Sequence, residues 1–447
     1  MRRKYIEIIR PWRYTIDLVA YGSTENKVEW GIKEMEIKMG ILKKSSISGF
    51  ILLILCLSYT SDGAIAKECW IGTWASGQQL TEPRNNPPAP GLSNNTLRQV
   101  VHVTLGGSKL RVQFSNTYGS SPVTINAAHI AVSKGAGAID PATDKALMFK
   151  GQPSITIPAG EAVYSDTVDF DVKPLSNLAV SIYFGDTSSD VTGHPGSRTT
   201  SYIKTGNAVT ETDLTSAVKT DHWYNLSGID LWLDDSYACV VILGDSITDG
   251  RGSTTNGNNR WPDNLARRLQ ADPNTAKIGV LNQGIGGNAV VTGGLGPTAL
   301  KRFDNDVLGQ AGVRWLIIYE GVNDIGGSRS LKVATDLIAA YEQFIDKAHA
   351  HNILVYGVPI TPFKGSMYDR GDHEAARQEV NKWIRTSGKF DAVIDFDPVV
   401  SDPADPNKIK KEYLFQNDYL HFNAAGYKAM ADAIDLNLFK QVKAVTY

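Results

Sequence analysis

The chain has 447 residues, of which 42% are hydrophobic, and its formal net charge at pH 7 is −2. That length allows two domains, each with a core of its own. The composition is that of an ordinary globular protein. Because positive and negative charges nearly balance, neither nucleic acid nor an anionic membrane surface is expected as a partner.

The N-terminal segment is predicted to lie outside the mature fold. The basic pair Lys43-Lys44 precedes an apolar run from Phe50 to Leu57, and Ala64-Ile65-Ala66 follows. This order is typical of a secretory signal cleaved after the last alanine, and the run is too short to span a bilayer. We therefore expect residues 39–66 to be a signal peptide and residues 1–38 to lie upstream of the true start. The mature protein is expected to be secreted or periplasmic, without a membrane anchor.

Cleavage would leave the two cysteines Cys69 and Cys239 in the mature chain. Export permits a disulfide between them. Cys239, however, opens an apolar strand, where a buried free thiol fits equally well. The sequence leaves both possibilities open.

Residues 67–237 show short runs of β type, separated by clusters of Gly, Pro, Asn and Ser. The runs 97–105 and 109–114 flank Gly106-Gly107-Ser108, a spacing that predicts a β-hairpin. Further strands are predicted at 127–132, 154–157, 163–170 and 177–184. No long helical period interrupts them. The pattern predicts an all-β sandwich or jelly-roll domain.

From residue 238 onwards, apolar runs alternate with helical stretches. This alternation predicts an α/β domain whose parallel sheet is covered on both faces. In such sheets the functional groups gather beyond the carboxyl ends of the strands. The predicted strands are 239–243, 278–281, 315–319, 353–358 and 392–396, and the predicted helices are 261–269, 331–348, 373–385 and 423–439.

The first three of these strands end in polar or glycine-rich segments. Ser246 follows the first strand, near main-chain N–H groups that are free to stabilise negative charge. After the second strand, the N–H of Gly287 can turn towards a developing oxyanion, and after the third strand the amide of Asn323 can donate into the same crevice. Taken singly, a serine in this position is more often a turn or helix-capping residue, and Asn323 is equally well an Asx turn.

Two other kinds of site have partial motifs in the sequence. Gly284, Gly286 and Ala289 fit a loose dinucleotide-binding fingerprint. That motif follows the second strand rather than the first, and no acidic residue ends a strand about 20 residues later. His373-Glu374 lacks the second histidine of a zinc peptidase motif. We therefore expect neither a cofactor nor a metal ion.

Asp418 and His421 stand three residues apart, just before the last predicted helix. If this stretch makes one helical turn, the carboxylate reaches one ring nitrogen and leaves the other for a serine. A Ser-His-Asp triad needs that geometry. A lone Asp-x-x-His is more often a surface pair, but four signals that point to one crevice strengthen each other.

Together the blocks Gly244-Asp245-Ser246, Gly287, Gly321-Val322-Asn323-Asp324 and Asp418-x-x-His421 resemble the SGNH superfamily, also called the GDSL esterases and lipases. The resemblance implies a three-layer α/β/α flavodoxin-like domain. It also implies that Ser246 is the nucleophile, that His421 is the base and that Asp418 orients the histidine. The implied oxyanion donors are the N–H groups of Ser246 and Gly287 and the side chain of Asn323.

The resemblance covers roughly residues 238–440, and it departs from the usual first block at Ile247, where a leucine is common. The β-rich half, with Trp70-Ile-Gly-Thr-Trp74 and Leu97-Arg98-Gln99, is similar to a secreted bacterial subgroup that carries an N-terminal jelly-roll-like domain. Members of that subgroup are described as acetylxylan-type esterases, arylesterases or acylhydrolases. The expected domains are thus residues 67–237 and 238–447.

The function implied by the resemblance is that of a secreted carboxylic ester hydrolase that works through an acyl-enzyme. Its expected partner is a small ester or an acetylated carbohydrate, with a short acyl group. One alternative is a lipolytic or thioester acylhydrolase that acts on longer chains. Another is a carbohydrate-binding protein whose hydrolase domain is inactive.

Overall fold

The structure is a computed structural model that describes residues 3–9, 13–24, 27–38 and 67–440, with side chains in the last of these ranges. The chain divides into two compact units, Met1–Ile65 and Ala66–Tyr447. The predicted signal peptide lies outside the described residues, so it stays a prediction, as does the start of the mature chain.

The first unit contains one antiparallel sheet of three strands in chain order. These are β1 (Arg3–Ile9), β2 (Arg13–Thr24) and β3 (Lys27–Lys38).

The second unit begins with an all-β region, in which every described strand pair is antiparallel. One sheet has the order β10-β8-β14-β6-β16-β17, with β9 and β11 also paired to β8. A second has the order β12-β7-β19-β4, with β13 also on β7, and a small third sheet has the order β18-β15-β5. The strands are β4 (Glu68–Ala75), β5 (Gln79–Leu80), β6 (Asn95–His102), β7 (Gly107–Ser115), β8 (Val123–Gly135), β9 (Ala138–Ile139), β10 (Lys145–Leu147), β11 (Ile155–Ile157), β12 (Ala162–Tyr164), β13 (Val168–Val172), β14 (Asn177–Phe184), β15 (Thr192–His194), β16 (Ser201–Thr205), β17 (Val218–Thr220), β18 (Trp223–Tyr224) and β19 (Leu226–Asp234).

The predicted hairpin at Gly106-Gly107 is wrong. β6 pairs with β14 and β16, whereas β7 pairs with β12, β13 and β19, so the two strands lie in different sheets. The reason is burial. Leu97 and Val101 on β6, and Leu110 and Val112 on β7, are at most 1% exposed and face one shared core. The chain therefore crosses from one sheet to the other here instead of turning back beside itself.

The second half of the unit is a five-stranded parallel sheet of order β21-β20-β22-β23-β24, which confirms the predicted α/β fold class and the flavodoxin-like strand order. Its strands are β20 (Ala238–Gly244), β21 (Ile278–Gly284), β22 (Val313–Tyr319), β23 (Leu354–Gly357) and β24 (Ala392–Val393). A short antiparallel pair follows, β25 (Ser401–Asp402) and β26 (Asp405–Ile409). The α-helices are α1 (Ser246–Asp249), α2 (Trp261–Ala271), α3 (Ala299–Phe303), α4 (Val322–Gly327), α5 (Lys332–His349), α6 (His373–Thr386), α7 (Asp397–Val400) and α8 (Ala424–Asp432).

Alternate side chains of β20 pack into two separate cores, one on each face of the sheet. Val241 and Leu243 pack with α3, α5 and α6, while Val240 and Ile242 pack with α2 and α8 on the opposite face. A parallel strand buried on both faces needs an apolar side chain at every position, which explains the unbroken apolar run in the sequence.

The last predicted helix is shorter than expected. It ends at Asp432, and Leu436–Phe439 forms a separate 3-10 turn capped by Asp435, whose side chain accepts a hydrogen bond from the N–H of Asn437. Asp side chains compete with the helix for main-chain N–H groups, so they favour such a break. Among the helices of the described residues, none combines the length and apolar character needed to cross a membrane.

The β region packs directly on the parallel sheet. The N–H of Val280 on β21 donates to Thr104 Oγ1 at 3.0 Å, and the N–H of Gly72 donates to the carbonyl of Ala311 at 2.9 Å. A Cβ at Gly72 would lie 2.7 Å from Leu281 Cδ1. Only a glycine on β4 therefore allows this approach.

Candidate active site

Ser246 begins a one-turn helix directly at the carboxyl end of β20. Asp245 caps this helix, since its Oδ1 accepts a hydrogen bond from the N–H of Ile247 at 2.9 Å. The turn ends at Gly250, whose φ of 92° is a left-handed conformation that favours glycine. Burial raises the pKa of the Asp245 carboxyl to about 7. The serine is thus fixed at the edge of the sheet where ligands bind in this fold.

Ser246, His421 and Asp418 lie in one hydrogen-bonded row. The distance from Ser246 Oγ to His421 Nε2 is 2.8 Å, and that from His421 Nδ1 to Asp418 Oδ2 is 2.7 Å. Ser246 and His421 are 6% and 8% exposed. The carboxylate accepts the Nδ1 proton, so Nε2 is left as the acceptor for the serine hydroxyl.

The contact between Asp418 and His421 does not arise from a helical turn, as the spacing suggested. Tyr419 has a φ of 56°, and Asp418 Oδ1 instead accepts the N–H groups of Leu420 and His421 at 3.0 and 2.9 Å. Burial raises the pKa of Asp418, but the bonds from the His421 ring and from these N–H groups outweigh burial and lower it. The carboxylate is therefore held ionised beside the ring.

The three expected oxyanion donors line the same cleft as His421 and Asp418. Among residues 67–440, neither the N–H of Ser246 nor that of Gly287 donates to a main-chain oxygen. Gly287 has a φ of 73°, and a Cβ there would lie 3.0 Å from Leu295 Cδ1. The backbone conformation thus favours glycine, and any larger residue would also require Leu295 to move.

The side chain of Asn323 is fixed at both ends of its amide. Its Nδ2 donates to the carbonyl of Asn288 at 2.7 Å, and its Oδ1 accepts the hydroxyl of Tyr368 at 2.8 Å. The second Nδ2 hydrogen has no acceptor among the described residues. A Cβ at Gly326 would lie 2.3 Å from Tyr368 Cδ1, so the tyrosine ring lies directly on the backbone of α4. Sequence reasoning missed Tyr368, which lies in a loop outside every motif.

Asp324 ties the Gly287 loop to α4. Its two carboxylate oxygens accept the N–H groups of Val290 and Val291 at 2.8 and 2.9 Å. Burial raises the pKa of Asp324, although these bonds act in the opposite direction. The loop that carries Gly287 is therefore fixed to the helix that carries Asn323.

A buried arginine lies beneath the site. Arg302 is fully buried and donates to the carbonyls of Gly244 and Gln283 at 3.0 and 2.5 Å, and to Asn288 Oδ1 at 2.9 Å. It thus links the ends of β20 and β21. Glu320 lies 3.5 Å from this guanidinium, but burial raises the pKa of its carboxyl to about 8.

The cleft above Ser246 has a volume of about 790 Å³ and two chemically different walls. The β region supplies a polar wall, which contains Gln79, Glu82, Arg84, Asn85, Arg198 and His222. The α/β half, residues 238–440, supplies an apolar wall, which contains Leu295, Met367, Tyr368, Tyr419 and Leu420. Within residues 67–440, no three His, Cys, Asp or Glu side chains come together as metal ligands would. Cys69 and Cys239 are both free thiols in the structure.

Comparison with known proteins agrees with this geometry. Residues 242–429 match the GDSL-like lipase/acylhydrolase family. No curated protein matches the chain.

Solved structures that are similar to this chain share low sequence identity with it. A member of the lipolytic protein G-D-S-L family from Veillonella parvula is 20% identical, and the match spans 46% of this chain and 100% of that one, with a TM-score of 0.34. For a GDSL-like lipase from Bacteroides thetaiotaomicron the identity is 20%, the spans are 45% and 88%, and the TM-score is 0.34. An acetyl xylan esterase is 20% identical, and the match spans 44% of this chain and 96% of that one, with a TM-score of 0.33.

The family match includes the first block from Ile242, the glycine loop, the Asn323 helix and the Asp418–His421 turn. The resemblance predicted from the sequence is thereby confirmed. Residues 242–429 form a GDSL-like lipase/acylhydrolase domain of the SGNH hydrolase superfamily, and the protein is an enzyme that hydrolyses esters.

Proposed function

We propose that the protein is a serine esterase in which Ser246 forms the acyl-enzyme, with His421 as general base and Asp418 as its orienting group. The observation that carries this proposal is the continuous row of bonds, 2.8 Å from Ser246 Oγ to His421 Nε2 and 2.7 Å from His421 Nδ1 to Asp418 Oδ2. Each distance lies within the range that proton transfer requires.

In the first step, Ser246 Oγ attacks the ester carbonyl while Nε2 of His421 takes the hydroxyl proton. The negative charge on the carbonyl oxygen is stabilised by the N–H groups of Ser246 and Gly287 and by the free Nδ2 hydrogen of Asn323. His421 then returns the proton to the leaving alcohol. Water, activated by the same nitrogen, attacks the acyl-enzyme and releases the acid.

The decisive experiment uses Ser246→Ala and a fluorophosphonate probe. The wild type is expected to hydrolyse 4-nitrophenyl acetate and to carry the probe on Ser246, as located by peptide mass spectrometry. The variant should lose at least about 10³-fold in kcat and remain unlabelled. Wild-type turnover by Ser246→Ala, or labelling at another serine, would contradict the proposal.

For the substrate, we propose esters with a short acyl group, on a carbohydrate or an aryl alcohol. The polar wall supports this proposal, because Gln79, Glu82, Arg84 and Asn85 offer donors and acceptors suited to sugar hydroxyls. The apolar wall next to Gly287 suits a small acyl or aryl group. Acetate release from acetylated xylan, measured beside hydrolysis of nitrophenyl esters of increasing chain length, tests it. A short-chain optimum with acetate release is expected, and an optimum at eight carbons or more would overturn it.

The second candidate is a lipolytic acylhydrolase for longer chains. Three apolar side chains at the cleft favour it, since Leu295, Met367 and Tyr419 are 39%, 75% and 36% exposed. Exposed apolar groups that cluster at a cleft often mark a binding surface. The chain-length panel separates the two candidates directly.

We also propose that the enzyme is exported. The basic, apolar and Ala-x-Ala order of residues 43–66 supports this proposal. Expression of the full chain in a secreting host, followed by N-terminal sequencing, is expected to show a mature protein that begins at Lys67. A cell-associated product that retains residues 39–66 would contradict it.

A further inference from the structure

The helix that carries Ser246 is too short to be stable alone. It has four residues, and isolated helices need about 12 or more. Its position therefore depends on what holds its last residue, Asp249, which is 1% exposed. The N–H of Asp249 bonds to the carbonyl of Asp245, and the carbonyl of Ser246 accepts the N–H of Gly250, so any shift of Asp249 moves the serine.

The groups that hold the Asp249 carboxylate come from the β region. His194 Nε2 lies 3.0 Å from Oδ1, and Arg198 Nη2 lies 3.2 Å from Oδ2. Burial alone would raise the pKa of Asp249, but the charges of Arg198 and His194 outweigh burial and lower it. The carboxylate is therefore ionised and paired inside the protein.

His194 is fixed from both sides. Its Nδ1 lies 2.7 Å from the carbonyl of Gly77, and its ring stacks on Trp223 with centroids 5.6 Å apart. A carbonyl and a carboxylate both accept hydrogen bonds, so each ring nitrogen faces an acceptor. The neighbouring loop packs closely on the carboxylate, because a Cβ at Gly196 would lie 1.9 Å from Asp249 Oδ2.

We propose that His194 is a positioning residue for catalysis. Through its bond to Asp249, it fixes the Ser246 helix against the β region. The inference rests on the proposed function, since it concerns the same nucleophile. It also gives the β region a second role beside forming the polar wall. The matching segment of the family begins only at residue 242, so His194 lies outside it and Asp249 inside it.

Two substitutions at His194 separate positioning from general stability. The amide nitrogen of glutamine lies where Nε2 is, so His194→Gln keeps a donor to Asp249 and loses the bond to Gly77. The amide nitrogen of asparagine lies where Nδ1 is, so His194→Asn keeps the bond to Gly77 and loses the one to Asp249. Each variant removes one hydrogen bond from the fold, but only the second releases the serine helix.

The experiment measures kcat and KM for 4-nitrophenyl acetate, normalised to the concentration of sites that react with the serine probe. His194→Asn is expected to lower kcat about tenfold or more with little change in KM, because a small misplacement of the nucleophile affects chemistry more than binding. His194→Gln is expected to lower kcat by no more than about threefold. His129→Gln is the matched control, because its amide nitrogen lies where Nε2 is and it therefore loses the bond from Nδ1 to Asp144 elsewhere in the β region; it should leave kcat unchanged.

Equal losses in the two His194 variants, or a loss in KM alone, would overturn the inference. Asp249→Asn provides a second route if His194→Asn fails to fold. It should lower kcat to a similar extent, and combining the two changes should cost no more than either alone. Wild-type kcat in Asp249→Asn would also overturn the inference. If the wild type itself lacks Ser246-dependent turnover, the proposed function fails instead.

Discussion

Replacing Tyr368 by phenylalanine tests whether the Asn323 amide, the proposed oxyanion donor, is held in place by its neighbour. The change removes one hydroxyl, and with it the 2.8 Å bond to Asn323 Oδ1, while the ring stays packed on Gly326. A half-buried neutral hydrogen bond is worth about 1 kcal/mol, which corresponds to roughly a fivefold change in rate. Loss of the amide itself, in Asn323→Ala, should cost about 10²–10³ in kcat.

The expected result for Tyr368→Phe is therefore a fivefold lower kcat with an unchanged KM, because the amide matters most when charge develops on the substrate oxygen. Steady-state kinetics with 4-nitrophenyl acetate measure both constants. Tyr183→Phe, on β14 of the β region, is the matched control. In the Asn323→Ala background the Tyr368 substitution should have no further effect. A raised KM with unchanged kcat would show that Tyr368 binds substrate instead of fixing the amide, and would refute the reasoning.

Three further predictions concern charge and space around the site. Asp418→Asn should lower kcat by about 10³–10⁴, because the histidine loses its orienting acceptor. Single-turnover kinetics will show whether the acylation step slows. A loss in kcat below tenfold would contradict this role of Asp418. The pKa of Glu320 is raised to about 8 in the fold, so between pH 5 and 8 the folded state keeps a proton that the unfolded chain has lost. The free energy of unfolding should thus fall as pH rises through this window, by on the order of 1 kcal/mol per pH unit. Urea unfolding at several pH values measures it. In Glu320→Gln the free energy of unfolding should depend less on pH than in the wild type, whereas the exposed control Glu379→Gln should behave like the wild type. Gly196→Ala should lower the free energy of unfolding by about 1–3 kcal/mol through the clash with Asp249, whereas Gly327→Ala, where a Cβ meets no atom within 4 Å, should not.

The fold was predictable wherever the pattern of apolar residues along the sequence indicated which side chains are buried. Continuous apolar runs such as Val240–Leu243 predicted strands buried on both faces, and the structure has them in a parallel sheet. The hairpin at Gly106 failed because a Gly-Gly pair reports only that the chain can turn. Which strand lies beside which depends on contacts distant in sequence, here between β6 and β14 and between β7 and β19.

The sequence predicted the main residues of the site, but not the residues that hold them in place. Ser246, Gly287, Asn323, Asp418 and His421 lie together because each follows a strand end or precedes the last helix, and these positions meet at one edge of the sheet. Their catalytic roles stay predictions until they are tested.

The supporting groups lacked any local signal. Tyr368 and Arg302 act through side chains that cross from other elements, and His194 reaches Asp249 across 55 positions of sequence. Long-range hydrogen bonds of this kind leave no periodicity or spacing in a single sequence.

The two halves of the second unit depend on each other for physical reasons. Without the β region, Asp249 would lose the two side chains that bond its carboxylate, His194 and Arg198, and the Ser246 helix would lose what holds its last residue. Leu281, which packs against Gly72, would also face water. The cleft would keep its apolar wall and lose the polar one. A graft of another β domain onto this hydrolase half should therefore preserve activity only if it presents an imidazole and a guanidinium to Asp249, and a glycine where Gly196 lies against the carboxylate.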